Sequence, residues 1–201
     1  DRNDMGGVVR FATRAKELDN FPAIIGVDLT VGKPDNLHQL TLLSRTNEGY
    51  ANLNMLVTAA RAQIPRGQPW ISWEMLESHH RGLFCLSGCS RGAITRHIAN
   101  GDRLGARRIA GRLTDIFGEF MAIEVMDHGL PEDAVWCEGL ISLANEIDRL
   151  WVVTNHVHYA TVRDRIVHDV LTCLRHNTTI DEAGPLLKPN AEWHLKRPVS
   201  M

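Results

Sequence analysis

The apolar residues of this chain recur with two spacings, and these spacings predict strands and helices in alternation. Short runs rich in branched apolar residues predict five strands, namely PAIIGVDLTV, LHQLTLLSR, RGLFCLSG, FMAIEVM and LWVVTN. Segments in which apolar residues recur every three or four positions predict the helices around them. These segments are residues 5–18, 47–64, 72–79, 92–101, 104–118, 131–148 and 161–177.

This alternation of strands and helices indicates an α/β architecture with a mainly parallel sheet or a barrel. Thr46 and Ser72 stand at the starts of helical segments and are predicted N-caps, because their hydroxyls can accept hydrogen bonds from free amides. The alternation stops after residue 177, so residues 178–201 are predicted to be loop and linker. The last helical segment carries four apolar residues at helical spacing: Val162, Ile166, Val170 and Leu174.

The composition is that of an ordinary globular protein with one sizeable core. Of the 201 residues, 44% are hydrophobic and 23% are charged, and a single domain is expected. The formal net charge of −2 gives no electrostatic argument for nucleic-acid binding through bulk charge. The chain begins with Asp1 rather than methionine, and we expect it to be a fragment of a longer protein.

The cysteine pattern and the lack of an export signal predict a cytoplasmic protein with reduced thiols. The four cysteines form no CxxC pair, and the sequence shows neither a signal peptide nor an uninterrupted apolar run of membrane-spanning length. Disulfides are rare in reducing compartments. A phosphate-binding loop, a GxSxG elbow and paired CxxC motifs are also missing from the sequence, which argues against a kinase, a hydrolase elbow and a zinc ribbon.

Polar side chains stand at the ends of several predicted strands, where α/β proteins usually place their functional sites. Carboxylate, imidazole and thiolate groups together are the ligand set of a metal such as zinc. These candidate residues also have structural explanations. A lone cysteine is commonly a buried apolar residue, and an aspartate commonly caps a turn or pairs with arginine. The strand-end residues are Asp28, Gln39 or His38, Cys89, Glu124 to His128, Asn155, His156 and His158.

His156 and His158 are the closest pair among these candidates. They are two positions apart, so in an extended strand their side chains would point to the same face. The chain contains ten histidines, and a close pair is unsurprising in such a sequence. The spacing therefore suggests a metal site but does not establish one.

Five motifs, in order along the chain, carry a resemblance to a known family. They are LTLLSRTNEGYANL, GLFCLSGCSRGAI, IEVMDHGLPED, VVTNHVHYAT and HDVLTCLRHNTTIDEA. Together they resemble the PHP domain of bacterial C-family DNA polymerases, the DNA polymerase III alpha subunit. The opening stretches GVVRFATRAKEL and IIGVDLTV resemble the error-prone, translesion branch most. The resemblance implies a distorted seven-stranded β/α barrel over residues 1–177, here lacking its first strand.

The resemblance also implies where metal ligands would lie. Asp28 falls on a ligand glutamate, Cys89 on a ligand cysteine and His158 on a ligand histidine. His156 falls on a position that is usually an aspartate, or an asparagine in error-prone relatives. These four residues form the set that would hold zinc or manganese: Asp28, Cys89, His156 and His158.

Two further positions depart from the family's ligand pattern. Arg2 stands where a histidine is usual, and a guanidinium stays protonated and repels a metal ion. Gln39 also falls on a ligand histidine. His38 is its neighbour in sequence, but strand alternation should turn His38 to the other face. We therefore expect a degenerate metal site.

The resemblance leads to two alternative functions. The first is a structural and interaction platform within a DNA polymerase alpha subunit, with the remaining polymerase domains, DNA through the parent protein and accessory proteins as partners. The second is a metal-dependent 3'–5' exonuclease or phosphoesterase. The family's polymerase aspartates lie in a later domain, so this chain should not polymerise DNA alone. A free-standing phosphatase of the histidinol-phosphate type is disfavoured, because the motifs look like polymerase sequence.

Overall fold

The chain divides into two compact units. The computed structural model describes residues 2–18, 21–62, 68–88 and 90–197. The first unit falls within residues 1–124 and 139–152, and the second within residues 125–138 and 153–201.

A five-stranded sheet runs in sequence order. Its strands are β1 (Gly26–Lys33), β2 (Asn36–Ser44), β3 (Leu83–Leu86), β4 (Met121–Val125) and β5 (Leu150–Val153). β1 pairs with β2 and β2 pairs with β3 in antiparallel fashion, whereas β3 and β4 are parallel. The prediction of a mainly parallel sheet is wrong for the first two pairings. The cause is local, because the two residues between β1 and β2 are too short a connection for a parallel crossover.

The described part of the chain contains eight α-helices, and each lies within or close to a helical segment of the sequence pattern except the last. Thr46 Oγ1 accepts a hydrogen bond from the amide of Gly49 at 3.1 Å, and Ser72 Oγ accepts one from the amide of Met75 at 3.2 Å. Both N-cap predictions are therefore confirmed. The helices are α1 (Val8–Glu17), α2 (Asn47–Ala62), α3 (Trp73–Ser78), α4 (Ala93–Ala99), α5 (Arg103–Phe117), α6 (Asp133–Glu146), α7 (Arg165–His176) and α8 (Ile180–Ala183).

The core of the first unit lies between the antiparallel strands and the helices that cover them. The apolar residues of β1 alternate with polar ones from Val27 to Val31, and α2 packs against both β1 and β2. A fully buried leucine stabilises a fold by about 1.5–3 kcal/mol, so this layer fixes the sheet. Its fully buried side chains include Leu29, Leu40, Leu42, Leu53, Leu56 and Leu113.

The second unit contains α7, α8 and the segment that follows them. Tyr159 and His194 form a parallel bridge, in which the amide of Leu195 donates to the carbonyl oxygen of Tyr159 at 3.1 Å. Trp193 is buried, and its ring stacks on His128 with centroids 4.2 Å apart. Residues that the sequence predicts to be loop and linker thus include a short helix and a paired segment. The domain boundary at residue 177 stays a prediction.

Candidate functional site

Asp28 and Gln39 share one face of the β1–β2 hairpin. The register pairs Asp28 with Thr41 and Thr30 with Gln39. Because alternate residues of a strand point to the same side, all four side chains lie on that face. Thr41 Oγ1 donates a hydrogen bond to Asp28 Oδ1 at 2.7 Å. The hairpin therefore brings two of the predicted site positions together, and a hydroxyl of the protein already contacts the carboxylate.

Arg2 lies beside Asp28, in a short backbone segment that pairs with β1 in parallel. Arg2 and Asp28 form a parallel bridge, and the amide of Asn3 donates to the carbonyl oxygen of Asp28 at 2.7 Å. Asn3 continues the pairing through its side chain, which bonds to Thr30. The structure thus places the guanidinium-bearing residue directly next to the carboxylate that the family would use for metal binding.

His38 belongs to a different environment from Gln39. Its Nδ1 lies 3.3 Å from a guanidinium nitrogen of Arg96 on α4, and the side chain is buried. Burial, followed by the positive charge of Arg96, lowers the pKa of His38 to about 4. The imidazole is therefore neutral at pH 7 and packs against a helix, as the alternation of β2 leads one to expect.

The loop after β3 lies against the backbone of β2. Gly88 has φ +89°, and a Cβ atom there would fall on the carbonyl oxygen of Gln39. The amide of Gln39 donates to the carbonyl oxygen of Arg91 at 3.2 Å. Only a glycine fits this approach, so the loop is fixed beside the hairpin. Cys89 lies outside the described residues, and its role as a ligand stays a prediction.

Glu124 and Cys85 are buried neighbours on β4 and β3. Burial raises the pKa of the Cys85 thiol, and the charge of Glu124 adds to the effect. The thiol therefore stays protonated and unreactive at neutral pH. The backbone amide of Glu124 donates to Ser87 Oγ at 2.9 Å, which joins the strand to the loop after β3.

His128 and Asn155 hold the C-terminal segment of the second unit. Asn155 Nδ2 donates to the carbonyl oxygens of Glu192 and His194 at 2.9 and 2.5 Å. His128 stacks on Trp193, and burial lowers the pKa of its imidazole. These two strand-end residues of the sequence thus have clear packing roles.

His156 and His158 lie together, but in a loop rather than in the extended strand that their spacing suggested. β5 ends at Val153, so the pair is not in a strand. His156 has φ +33°, a left-handed backbone that is uncommon for residues other than glycine. The two rings nevertheless lie 4.7 Å apart between centroids, at an angle of 70°.

His168 of α7 is a neighbour that sequence reasoning missed. Its ring centroid lies 5.0 Å from that of His158 and 5.7 Å from that of Tyr159. The turn of 3₁₀ helix at residues 162–164 and the start of α7 bring it back to His158. No spacing rule along the sequence could have found this contact, although His168 lies in the motif HDVLTCLRHN.

The contact between the rings of His156 and His158 is an edge-to-face contact of two imidazoles. Among the residues that the structure describes, no group of three or more histidine, cysteine, aspartate or glutamate side chains is placed to hold an ion. The metal ligands that the resemblance implies therefore stay a prediction.

Comparison with known proteins identifies the family. The sequence pattern of the PHP domain matches residues 1–128. The chain belongs to the PHP domain family. Its relatives include an error-prone DNA polymerase of Symbiobacterium thermophilum, which is 35% identical over 217 aligned residues covering all of this chain and 20% of the relative.

Two relatives named DNA polymerase III subunit alpha resemble this PHP domain almost as closely. The DNA polymerase III subunit alpha of Treponema pallidum is 30% identical over 98% of this chain and 18% of the relative. The subunit of Thermus aquaticus is 32% identical over all of this chain and 17% of the relative. The PHP domain thus spans about a fifth of the length of the curated relatives that it matches.

The mixed α/β architecture, with its five-stranded sheet and eight described helices, is consistent with part of a PHP-type β/α barrel. The predicted fold class is therefore confirmed. Among the described residues, no helix of this PHP domain is long and apolar enough to cross a membrane.

Proposed function

We propose that this chain is the PHP segment of a bacterial C-family DNA polymerase alpha subunit of the error-prone type. Its role is that of a structural and interaction platform with a degenerate metal site. The full-length match to relatives named error-prone DNA polymerase and DNA polymerase III subunit alpha supports the parentage. The remaining polymerase domains, DNA bound through the parent protein and accessory proteins are its proposed partners, in the bacterial cytoplasm.

The observation that carries the degenerate site is the placement of Arg2 beside Asp28. The two residues are backbone neighbours, and a guanidinium stays protonated, so Arg2 brings a positive charge to a position where the family resemblance implies a ligand histidine. The Asp28 carboxylate also accepts the Thr41 hydroxyl, which stabilises its charge without an ion.

Gln39 supports the same conclusion. The register places it two pairs along the ladder from Asp28 on the same face, where the family resemblance implies a ligand histidine. A carboxamide is a weak ligand for zinc compared with imidazole or thiolate. His38 cannot substitute, because its ring packs against Arg96.

The alternative function is a metal-dependent 3'–5' exonuclease or phosphoesterase. The proximity of the His156 and His158 rings favours it, since two neighbouring imidazoles can supply two of the ligands of one zinc or manganese ion. Such an ion would supply an activated water for attack on a phosphodiester. The family resemblance implies Asp28 and Cys89 as further ligand positions.

Metal analysis of the full-length parent protein tests the two functions. On protein purified without chelator, the platform role predicts fewer than one zinc or manganese per chain by mass spectrometry and no cleavage at a DNA 3' end. The double variant Arg2→His/Gln39→His should raise metal content, whereas the exposed substitution Arg10→His should not. Stoichiometric metal that is lost in His158→Ala, together with exonuclease activity, would establish the alternative instead.

The parentage has its own test. The gene should continue past the codon of Met201 into finger, palm and thumb domains. A natural reading frame that stops near this residue would overturn both polymerase-based functions, whatever the metal content.

A further inference from the structure

A surface cleft lies between α5 and the residues at the end of α3. Its volume is about 280 Å³, whereas one water molecule takes up about 30 Å³, so an organic group of several atoms fits inside. We call it the α3–α5 cleft; its lining residues are Glu77, His80, Arg112, Asp115 and Ile116. All five lie in the first unit, and none is a position where the resemblance implies a metal ligand.

Arg112 forms a fixed wall of the α3–α5 cleft. Its Nε and Nη2 donate to one oxygen of Glu77, Oε1, at 3.1 and 2.8 Å. Its guanidinium carbon lies 4.5 Å from the ring centroid of the buried Trp73. A guanidinium that is both stacked and paired with a carboxylate is well oriented. The charge of Arg112 is thus matched by Glu77, whose other oxygen, Oε2, remains an acceptor.

His80 adds a second acceptor to the cleft. Its Nδ1 lies 2.6 Å from the carbonyl oxygen of Glu77, and a carbonyl oxygen only accepts, so Nδ1 carries the proton. In the neutral imidazole, Nε2 is then an acceptor. An edge contact with Phe117, with ring centroids 6.1 Å apart at 86°, orients the same ring.

Asp115 carries the unmatched charge of the cleft. It is exposed, and it forms no ion pair or hydrogen bond with the residues that the structure describes. The charged side chains of the cleft are therefore two carboxylates against one guanidinium, which favours a cation. An anion would have to displace Glu77 from Arg112 and would also meet the carboxylate of Asp115.

The spacing of the acceptors distinguishes between kinds of cation. In the described part of the chain, no three histidine, cysteine, aspartate or glutamate side chains are placed to hold a metal ion, so Glu77, His80 and Asp115 do not surround one point. A metal ion or an ammonium nitrogen needs its partners around one point, whereas a guanidinium spreads five N–H groups over a planar fork. Ile116 supplies an apolar wall for an alkyl stem.

We propose that the α3–α5 cleft binds an alkylguanidinium group, which is the chemistry of an arginine side chain. The carboxylate of Asp115 pairs with the guanidinium, while Glu77 Oε2 and His80 Nε2 accept further N–H groups. The alkyl chain lies along Ile116. The proposal goes beyond the polymerase parentage and does not depend on it, because it uses only residues of the first unit.

Ligand-observed saturation-transfer NMR on the full-length parent protein tests the proposal. Its probes are butylguanidinium, butylammonium and pentanoate, which share a four-carbon chain and differ in the charged group. We expect the largest saturation transfer for butylguanidinium and none for pentanoate. Equal signals from butylammonium would overturn the guanidinium assignment. Equal signals from pentanoate would show that charge does not matter and would overturn the site.

Two matched substitutions assign the binding to the α3–α5 cleft. Asp115→Asn should raise the Kd of butylguanidinium by about two- to fivefold, as the loss of one exposed ion pair does. Asp35→Asn, which removes the same charge from an exposed position between β1 and β2, should leave the Kd unchanged. If Asp115→Asn and the parent sequence bind butylguanidinium equally well, the proposal is wrong.

An arginine side chain of a protein and a free small molecule both carry this group, and a blocked tripeptide separates the two sources. If acetyl-Gly-Arg-Gly-amide binds at least as tightly as butylguanidinium, and Asp115→Asn weakens both, the ligand is a protein arginine. Binding of butylguanidinium without the tripeptide supports a free guanidine. If neither probe binds, the α3–α5 cleft is not a guanidinium site.

Discussion

Asn3 and Thr30 exchange two hydrogen bonds across the first edge of the sheet. Asn3 Nδ2 donates to Thr30 Oγ1 at 2.9 Å, and the amide of Thr30 donates to Asn3 Oδ1 at 2.8 Å. Asn3 is buried and has φ +49°, a conformation that asparagine tolerates better than most residues. One side chain thus joins the start of the chain to β1 and holds Arg2 next to Asp28.

The substitution Asn3→Ala should lower the free energy of unfolding by about 2–3 kcal/mol, because it removes two part-buried hydrogen bonds and strains a left-handed residue. Thr30→Val removes only one of the two bonds and should cost about 1 kcal/mol. Urea denaturation of both variants checks this order. Equal midpoints for Asn3→Ala and the parent sequence would show that the contact does not anchor the edge.

Trp193 should be the main anchor of the C-terminal segment. It is buried, stacks on His128 and lies 4.5 Å from the ammonium of Lys188. Trp193→Ala should lower the free energy of unfolding of the second unit by about 3–5 kcal/mol, as is usual for a buried tryptophan. Hydrogen–deuterium exchange of α7 measures the loss.

The exposed Trp151 of β5 supplies the matched control. Trp151→Ala should change the stability by less than about 1 kcal/mol, since exposed positions contribute little. If the two tryptophan variants behave alike, the stacked contact has no special role.

The buried imidazole of His38 predicts a loss of stability in acid. Its pKa of about 4 in the folded protein lies below the ordinary value near 6.5. As the pH falls, the unfolded chain therefore takes up this proton first. The contribution of His38 is fully present above pH ~6.5 and is lost as the pH drops towards about 4, by roughly 2 kcal/mol between pH 7 and pH 5.

Urea denaturation at these two pH values measures the effect. In His38→Gln, the free energy of unfolding should fall less between pH 7 and pH 5 than it does in the parent sequence. The two falls should differ by that amount. NMR titration of the His38 ring supplies the independent control. A midpoint near 6.5 in the folded protein would rule out the explanation.

Gly88 should tolerate no side chain. Gly88→Ala would place a Cβ on the carbonyl oxygen of Gln39 and strain a positive φ, for a combined cost of about 2–5 kcal/mol. Gly101 also has a positive φ but faces open space, so Gly101→Ala should cost only about 1–2 kcal/mol. Thermal unfolding of both variants compares them, and equal shifts would show that the close approach is unimportant.

The sequence predicted well those structural features, such as strands and helix caps, that depend on residues close together in the chain. A short run rich in apolar residues marked β2 as residues 37–45, and the strand spans Asn36–Ser44. The caps Thr46 and Ser72 act as expected, because an N-cap bond forms within one turn of helix. The family resemblance added the fold class and the positions of Asp28 and Gln39, which the register brings to one face.

Contacts between distant parts of the chain could not be predicted in this way. The proximity of His158 and His168 depends on the turn that starts α7, and the pairing of Tyr159 with His194 depends on a tail that showed no periodic pattern. The exposure of Ile166 and Leu174 on α7 was equally hidden, because periodicity identifies an apolar face without saying what covers it.

The bond from Thr41 to Asp28 has a consequence for how the hairpin is held together. A carboxylate oxygen that a cross-strand hydroxyl holds at 2.7 Å is satisfied by the chain itself. The pairing of β1 with β2 therefore includes a side-chain bond as well as the backbone ladder, and the polypeptide carries both wherever it goes.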